Sequence, residues 1–356
     1  MVSVEQFSER LIDEACLQKA TDIHIIPKEK QVVIQFRIDE EMISKYSISK
    51  QLGDRFISHL KFLASMDIGE QRRPQNGALS FTTKNNAVHL RLSTLPTVYH
   101  ESLVIRILPN TTPKTFEQLS LFQQSTKKIL SFINHAHGLI IFTGPTGSGK
   151  TTTLYSLLHY AKKNFNRNII TLEDPVETKS EEVLQVQVNE RAGITYTTGL
   201  KAILRHDPDI IMVGEIRDAE TAKIAVRAAL TGHLVLSTMH TKDSVGAIYR
   251  LLEFGVPISE IEQTLIALIA QRLVPLSCPY CNGKCSPYCK ALRTVRRLGV
   301  YELLYGRNLQ KAIQQARGEE VSIQYKRLKD VIKKGIALGF LYPSTYERWV
   351  VEHEEK

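Results

Sequence analysis

Residues 144–151 read Gly-Pro-Thr-Gly-Ser-Gly-Lys-Thr, with Leu139–Phe142 as an apolar run before them and a helical pattern after. This is the G-x-x-x-x-G-K-T pattern in a strand–loop–helix setting, and it requires an α/β core around a parallel sheet. The glycines let the backbone curl closely around phosphates, where a Cβ would obstruct or demand an unfavourable φ. Successive N–H groups then point inward, and the next helix adds its positive end. The expected nucleotide site is Gly144, Pro145, Thr146, Gly147, Ser148, Gly149, Lys150, Thr151 and Thr152. Lys150 reaches the β- and γ-phosphates of ATP, and the Thr151 hydroxyl holds Mg²⁺.

Such a site also needs acids at the carboxyl ends of neighbouring strands. The strand 168–172 runs into Glu173-Asp174-Pro175-Val176-Glu177, and Ile210–Val213 runs into Gly214-Glu215-Ile216-Arg217-Asp218. Glu215 is the first candidate to polarise the attacking water or hold Mg²⁺ through water, and Glu173 the second. Either acid could instead cap a helix. A third strand ends Ser237-Thr238-Met239-His240. Its histidine is either a sensor of the γ-phosphate or a satisfied polar residue.

Before this region, helical patterns over 4–18 and 49–65 alternate with strand patterns at 23–26, 31–38, 77–82, 87–92 and 102–107. They predict a small α+β domain over 1–108. Pro109-Asn110-Thr111-Thr112-Pro113 opens a linker over 109–124, and the ATPase domain takes 125–356. Its end, 293–356, reads as helical. Cys278, Cys281, Cys285 and Cys289 lie within twelve residues, which in a reducing compartment suggests four thiolates around a structural Zn²⁺. Lys290, Arg293, Arg296 and Arg297 follow, as a docking face or a solvated helix. No apolar run is long enough to span a bilayer, and the start has no signal-peptide pattern. The chain is therefore expected in the cytosol, with membrane contact peripheral or through a partner. Lys plus Arg exceed Asp plus Glu by 46 − 37 = 9, which favours an acidic partner or is simply a basic solvated surface.

These blocks together resemble the secretion ATPases of type II secretion systems and type IV pili. Residues 21–26 (Thr-Asp-Ile-His-Ile-Ile), 36–39, 67–77 and 93–97 resemble that family's N-terminal signatures. Residues 144–151, 173–177, 207–218 and 231–241 resemble its Walker A, acidic, atypical Walker B and histidine boxes. The wording is most similar to the branch serving Gram-positive competence pseudopili, which support DNA uptake. The chain is expected to lack the extra N-terminal domain of longer relatives.

The resemblance implies a RecA-like P-loop domain, a PAS-like N-terminal domain and a cysteine-rich insert followed by helices. It implies Glu215 as the catalytic glutamate and His240 as a sensor. It also implies that Arg91 and Arg106, both turned away from the core of their strands, reach the nucleotide from the N-terminal domain. A homo-hexamer working on an integral membrane platform protein, and through it on pilin-like subunits, is implied as well. Alternatives are a general secretion or pilus ATPase, a ring motor moving DNA directly, and a nucleotide-switched recruitment scaffold. No stacking-aromatic platform supports direct nucleic-acid binding.

Overall fold

The computed structural model describes residues 3–38, 41–82, 87–109, 115–177, 179–281, 285–293 and 295–350. The chain divides into two compact units, Met1–Thr112 and Pro113–Lys356.

The first unit opens with α1 (Val4–Leu17), started by Ser3, whose Oγ accepts the Gln6 N–H. There follow β1 (Asp22–Pro27), β2 (Gln31–Ile38), β3 (Glu41–Ser49), α2 (Lys50–Leu63), β4 (Gln75–Thr82), β5 (Ala87–Thr97) and β6 (His100–Pro109). The strands form one antiparallel sheet in the order β3-β2-β1-β6-β5-β4. Alternation decides which face is buried. Ile23, Ile25, Ile34, Phe36, Leu90, Leu92 and Ile105 share a core with Leu11 and Ile12 of α1 and Phe56 and Leu60 of α2. The intervening residues, Asp22, Arg37, Arg91 and Arg106 among them, lie on the sheet's other face. β3 was not expected from the sequence. It is an edge strand, mostly exposed, with a bulge in its partner register at Ile34/Gln35, so its apolar residues never alternate cleanly.

The second unit contains α3 (Gln123–Phe132), β7 (Gly138–Thr143), α4 (Lys150–Phe165), β8 (Ile169–Glu173), β9 (Leu184–Gln187), α5 (Tyr196–Ile203), β10 (Ile210–Val213), α6 (Ala219–Leu230) and β11 (Leu234–Met239). Then come α7 (Ser244–Glu253), α8 (Ile258–Thr264), β12 (Leu265–Pro275), α9 (Pro287–Leu292), β13 (Arg297–Tyr305), α10 (Gly306–Ala316), α11 (Leu328–Ala337) and α12 (Ser344–Val350). The seven strands lie in the order β13-β12-β7-β11-β10-β8-β9, all parallel except the antiparallel β12/β13 pair. Both faces are covered. Leu139, Ile141, Ile170, Val213 and Val235 pack with α5, α6 and α7, while Ile140, Phe142, Ile169, Met212 and Leu236 pack with α3 and α4.

Two expectations need correction. The region 293–356 is not wholly helical, because 297–305 pairs with 265–275 as two long strands that extend the sheet. Nor is 109–124 a linker throughout. Phe116 is buried with Ile129 and Leu157, and Leu119 and Leu121 exchange backbone hydrogen bonds with Gly299 at 2.7 and 2.9 Å. Residues 110–114 of the expected linker lie outside the described residues. Among the described residues, no helix is long and apolar enough to cross a membrane.

Candidate nucleotide site

β7 is buried along its whole length and ends at Thr143, directly before the glycine-rich loop. Gly144, Gly147 and Gly149 have φ of +149°, +79° and +85°. A Cβ at Gly144 would sit 2.5 Å from the Gln271 carbonyl oxygen, so glycine is required there on space as well as on torsion. Pro145, Thr146 and Gly147 are exposed at the loop's crest, and Ser148 is buried beneath it. Lys150 opens α4 and turns back into the loop, donating to the carbonyls of Gly144 at 2.7 Å and Pro145 at 3.1 Å. Burial pushes its ammonium down to about 8, against the pull of Glu215 and with the push of Arg272. Thr151, half-buried, and Thr152, exposed, follow on the first turn of α4.

The carboxyl ends of β8, β10 and β11 gather beside this loop. The end of β7 is tied to the segment after β11, since the Thr143 hydroxyl receives the Thr241 N–H at 2.9 Å and lies 2.6 Å from its hydroxyl. β11 in turn holds β10, with Ser237 Oγ donating to Val213 O and Thr238 Oγ1 to Gly214 O, both at 2.8 Å. Glu215 therefore leaves β10 in a fixed place. Arg217 Nη2 holds its Oε1 at 2.5 Å. Its Oε2 is buried with no hydrogen bond, 3.5 Å from His240 Nε2, close enough for charge attraction but not aligned as a bond. Burial lowers the His240 pKa, Lys150 lowers it further, and Glu215 opposes both. Asp218, by contrast, is occupied as the N-cap of α6, accepting the Thr221 N–H at 2.8 Å.

Glu173 is 3% exposed, and burial raises its carboxyl above the usual range. Its Oε1 accepts from Tyr155 Oη of α4 at 2.6 Å and from Thr171 Oγ1 at 2.7 Å. Tyr155 also accepts from Gln185 Nε2 at 2.6 Å. Glu173 is thus built into a buried network, whereas Glu215 keeps an oxygen free.

Arg91 and Arg106 belong to the first unit, where they are direct cross-strand partners. Asp22 is the next residue in the same row, and Arg37 the next after it. Arg106 Nε donates to Asp22 Oδ1 at 2.9 Å, and Arg37 Nε lies 3.9 Å from Asp22 Oδ2. Three guanidinium groups thus share a row with one carboxylate, which offsets the repulsion between the paired arginines.

Three of the four cysteines come together. The Sγ atoms of Cys278, Cys281 and Cys285 lie within 4.8 Å of one another. Cys289 is not part of that group. It sits in the first turn of α9, its N–H given to Ser286 Oγ at 3.3 Å and its sulfur 3.6 Å from that same hydroxyl. Of the four cysteines expected to act together, the structure gathers three. The Tyr280 N–H, helped by Cys281 and Cys285, draws the Cys278 thiol down to about 7. Clustered soft donors, one of them ionised near neutrality, fit Zn²⁺.

Sequence reading missed Tyr155, Gln271, Arg272, Asp22 and Arg217. Arg217 was recoverable, two residues from Glu215 in an extended segment. So was Gln271, a lone amide after Leu-Ile-Ala-Leu-Ile-Ala. Arg272 is 6% exposed and donates to Lys242 O at 2.6 Å, just past His240.

Comparison with known proteins places the chain in a family. The chain is 60% identical to the competence protein ComGA of Bacillus subtilis (strain 168) over 356 residues, the whole of both chains. It is 44% identical to ComGA of Halalkalibacterium halodurans over 315 residues, 88% of this chain and 90% of that one. Type II secretion system protein E of Dickeya dadantii is 43% identical over 273 residues, 76% of this chain but 55% of that protein. Among solved structures, the pilus retraction motor PilT with bound ADP superimposes with a TM-score of 0.71 at 25% identity, covering 98% of both chains. The ATPase DotB of Legionella pneumophila shares the fold, with a TM-score of 0.75 at 23% identity over 96% of this chain and 94% of that one. The sequence profile of the Type II/IV secretion system proteins matches residues 1–341, and the chain belongs to that family.

Proposed function

We propose that this chain is the ATP-hydrolysing motor that powers assembly of a competence pseudopilus for DNA uptake. The observation that carries the reading is the end-to-end 60% identity with a competence protein. The loop 144–149 wraps the phosphates of ATP in RecA-like P-loop fashion. Lys150 leaves its two loop carbonyls for the β- and γ-phosphates, and the Thr151 hydroxyl holds Mg²⁺, which offsets charge on the phosphate oxygens. Glu215 orients and polarises the attacking water with its unbonded Oε2, while Arg217 fixes the carboxylate through Oε1. His240 reports the γ-phosphate to Glu215. Glu173, with its raised pKa, supports the site from the Tyr155 network. Arg91 and Arg106 supply cations from the N-terminal unit, with Asp22 orienting Arg106.

Six chains form a ring on the cytoplasmic face of the membrane, acting on an integral membrane platform protein that inserts pilin-like subunits. Cys278, Cys281 and Cys285 hold a structural Zn²⁺, its fourth ligand lying outside the trio.

The test is replacement in a transformable bacterium whose own motor gene is deleted. Wild-type protein should restore DNA uptake, and Lys150→Ala and Glu215→Gln should not. Purified wild type should turn over MgATP, and the Glu215→Gln protein should bind ATP without hydrolysing it. Turnover without restored uptake would leave a general secretion or pilus ATPase as the reading.

A further inference from the structure

We propose that Gln271 is a positioning residue for the phosphate-binding loop. The proposal rests on the reading of 144–149 as that loop. β12 runs parallel to β7 with Ala270 opposite Thr143, so the next residue of β12 arrives beneath the loop where β7 has ended. Gln271 is 2% exposed there. Its Nε2 donates to the Ser148 carbonyl at 2.9 Å.

That bond sets the direction of a phosphate ligand. Ser148 C=O and Gly149 N–H belong to one planar trans peptide and point in opposite directions. Holding the carbonyl down toward β12 turns the Gly149 N–H away from it, toward the mouth of the loop. The same residue also shapes both ends of the loop. Its carbonyl oxygen lies 2.5 Å from a Cβ position at Gly144, and its Nε2 lies 3.1 Å from one at Gly149. Gly149 additionally has φ +85°, so the loop closes only with glycine at both ends.

Packing does not explain the residue. Its neighbours Leu268, Ile269, Ala270 and Val274 are apolar and buried. Gln271 Oε1 is buried without a hydrogen-bond partner, an expense an apolar side chain would avoid. Turning the amide over would set two acceptors, Oε1 and the Ser148 oxygen, against each other, so the orientation is fixed by the loop.

The experiment measures MgADP binding by calorimetry and MgATP turnover for Gln271→Met, Gln271→Glu and, as reference, Lys150→Ala. Methionine keeps the volume and removes the donor. Glutamate places an acceptor against the carbonyl. The Kd for MgADP and the KM for MgATP should rise about tenfold in Gln271→Met, the worth of one buried hydrogen bond, and further in Gln271→Glu. The fall in kcat should be smaller than the rise in KM, because the loop grips substrate and transition state alike. Melting temperature without nucleotide should stay within a few degrees of wild type. Affinity within twofold of wild type in both variants, with Lys150→Ala defective, overturns the role of Gln271. Loss of affinity only in step with loss of nucleotide-free stability in both variants also overturns it, and makes the residue a core strut. Normal binding by Lys150→Ala would instead overturn the reading of the loop itself.

Discussion

Lys150 is anchored by two carbonyls of its own loop and lowered by burial to about 8, against an ordinary 10.5. The folded value lies below the unfolded one, so between these two pH values the unfolded chain binds more protons and stability rises with pH. Relative to pH above 10.5, the charged lysine costs the fold about 3 kcal/mol below pH 8. A phosphate group reverses this, because a dianion beside the ammonium stabilises the charged form. Nucleotide binding at pH 8 should therefore take up roughly half a proton per chain, and affinity should weaken as pH rises above 8. Calorimetry in two buffers of different ionisation enthalpy measures the proton directly. Binding with no proton exchange at pH 8 would show either that Lys150 is already fully charged in the free protein or that phosphate does not meet it, and the Lys150→Ala affinity separates the two. The residue that carries this effect was plain in the sequence, but its pKa was not. The shift comes from burial in the folded loop and from Arg272, which lies 122 positions further along the chain (272 − 150).

At the scale of elements, Glu302 joins pieces that sequence reading kept apart. It is 2% exposed on β13 and accepts the Ser244 N–H of α7 at 3.0 Å, the Leu328 N–H of α11 at 2.8 Å, and Tyr325 Oη at 3.1 Å; the Ser244 hydroxyl also donates to it. One carboxylate thus meets the positive ends of two helices, and α7 is the helix that follows His240. Glu302→Ala should leave two helix N-terminal N–H groups and a tyrosine hydroxyl without their acceptor, costing about 3 kcal/mol or more in urea unfolding. Glu302→Gln keeps one acceptor oxygen and should cost less. A loss under ~1 kcal/mol in the alanine variant would mean that water replaces the carboxylate. The helical expectation for 293–356 fails at β13 because that strand is recognisable only beside β12, and the sequence does not mark β12 clearly either. The run Leu265–Ala270 is apolar without a break, and such a run has no period to separate strand from helix. β13 itself follows a basic stretch. By contrast, β7, β8, β10 and β11 were legible because each short apolar run ends in a glycine, an acid or a histidine at the ligand edge. Spacing along the chain groups Cys289 with the other three cysteines, whereas the first turn of α9 brings that thiol to Ser286.

For the whole molecule, the division into two units bears on how turnover would be organised. The arginine row lies in the unit ending at Thr112, and Lys150, Glu215 and His240 lie in the other. If arginines and phosphate loop cooperate within a ring of six, subunits should not act independently. Mixing wild type with Glu215→Gln tests this, since that variant should bind ATP and still occupy its place in the ring. For independent sites, an equal mixture should keep about half of wild-type turnover. If one blocked subunit stalls its ring, random mixing leaves only about one ring in sixty-four fully wild type, and activity should fall to a few per cent. Chains must exchange before the assay, so the mixture is dissociated by dilution, reconcentrated and compared with separately assembled rings at equal total protein. A curve bending steeply below the straight line supports coordinated hydrolysis, and its steepness reports how many blocked subunits a ring tolerates. A straight line, with co-purification of untagged wild type on a tagged Glu215→Gln chain showing mixed rings, would mean that each chain hydrolyses alone and that force is not generated by ordered firing around the ring.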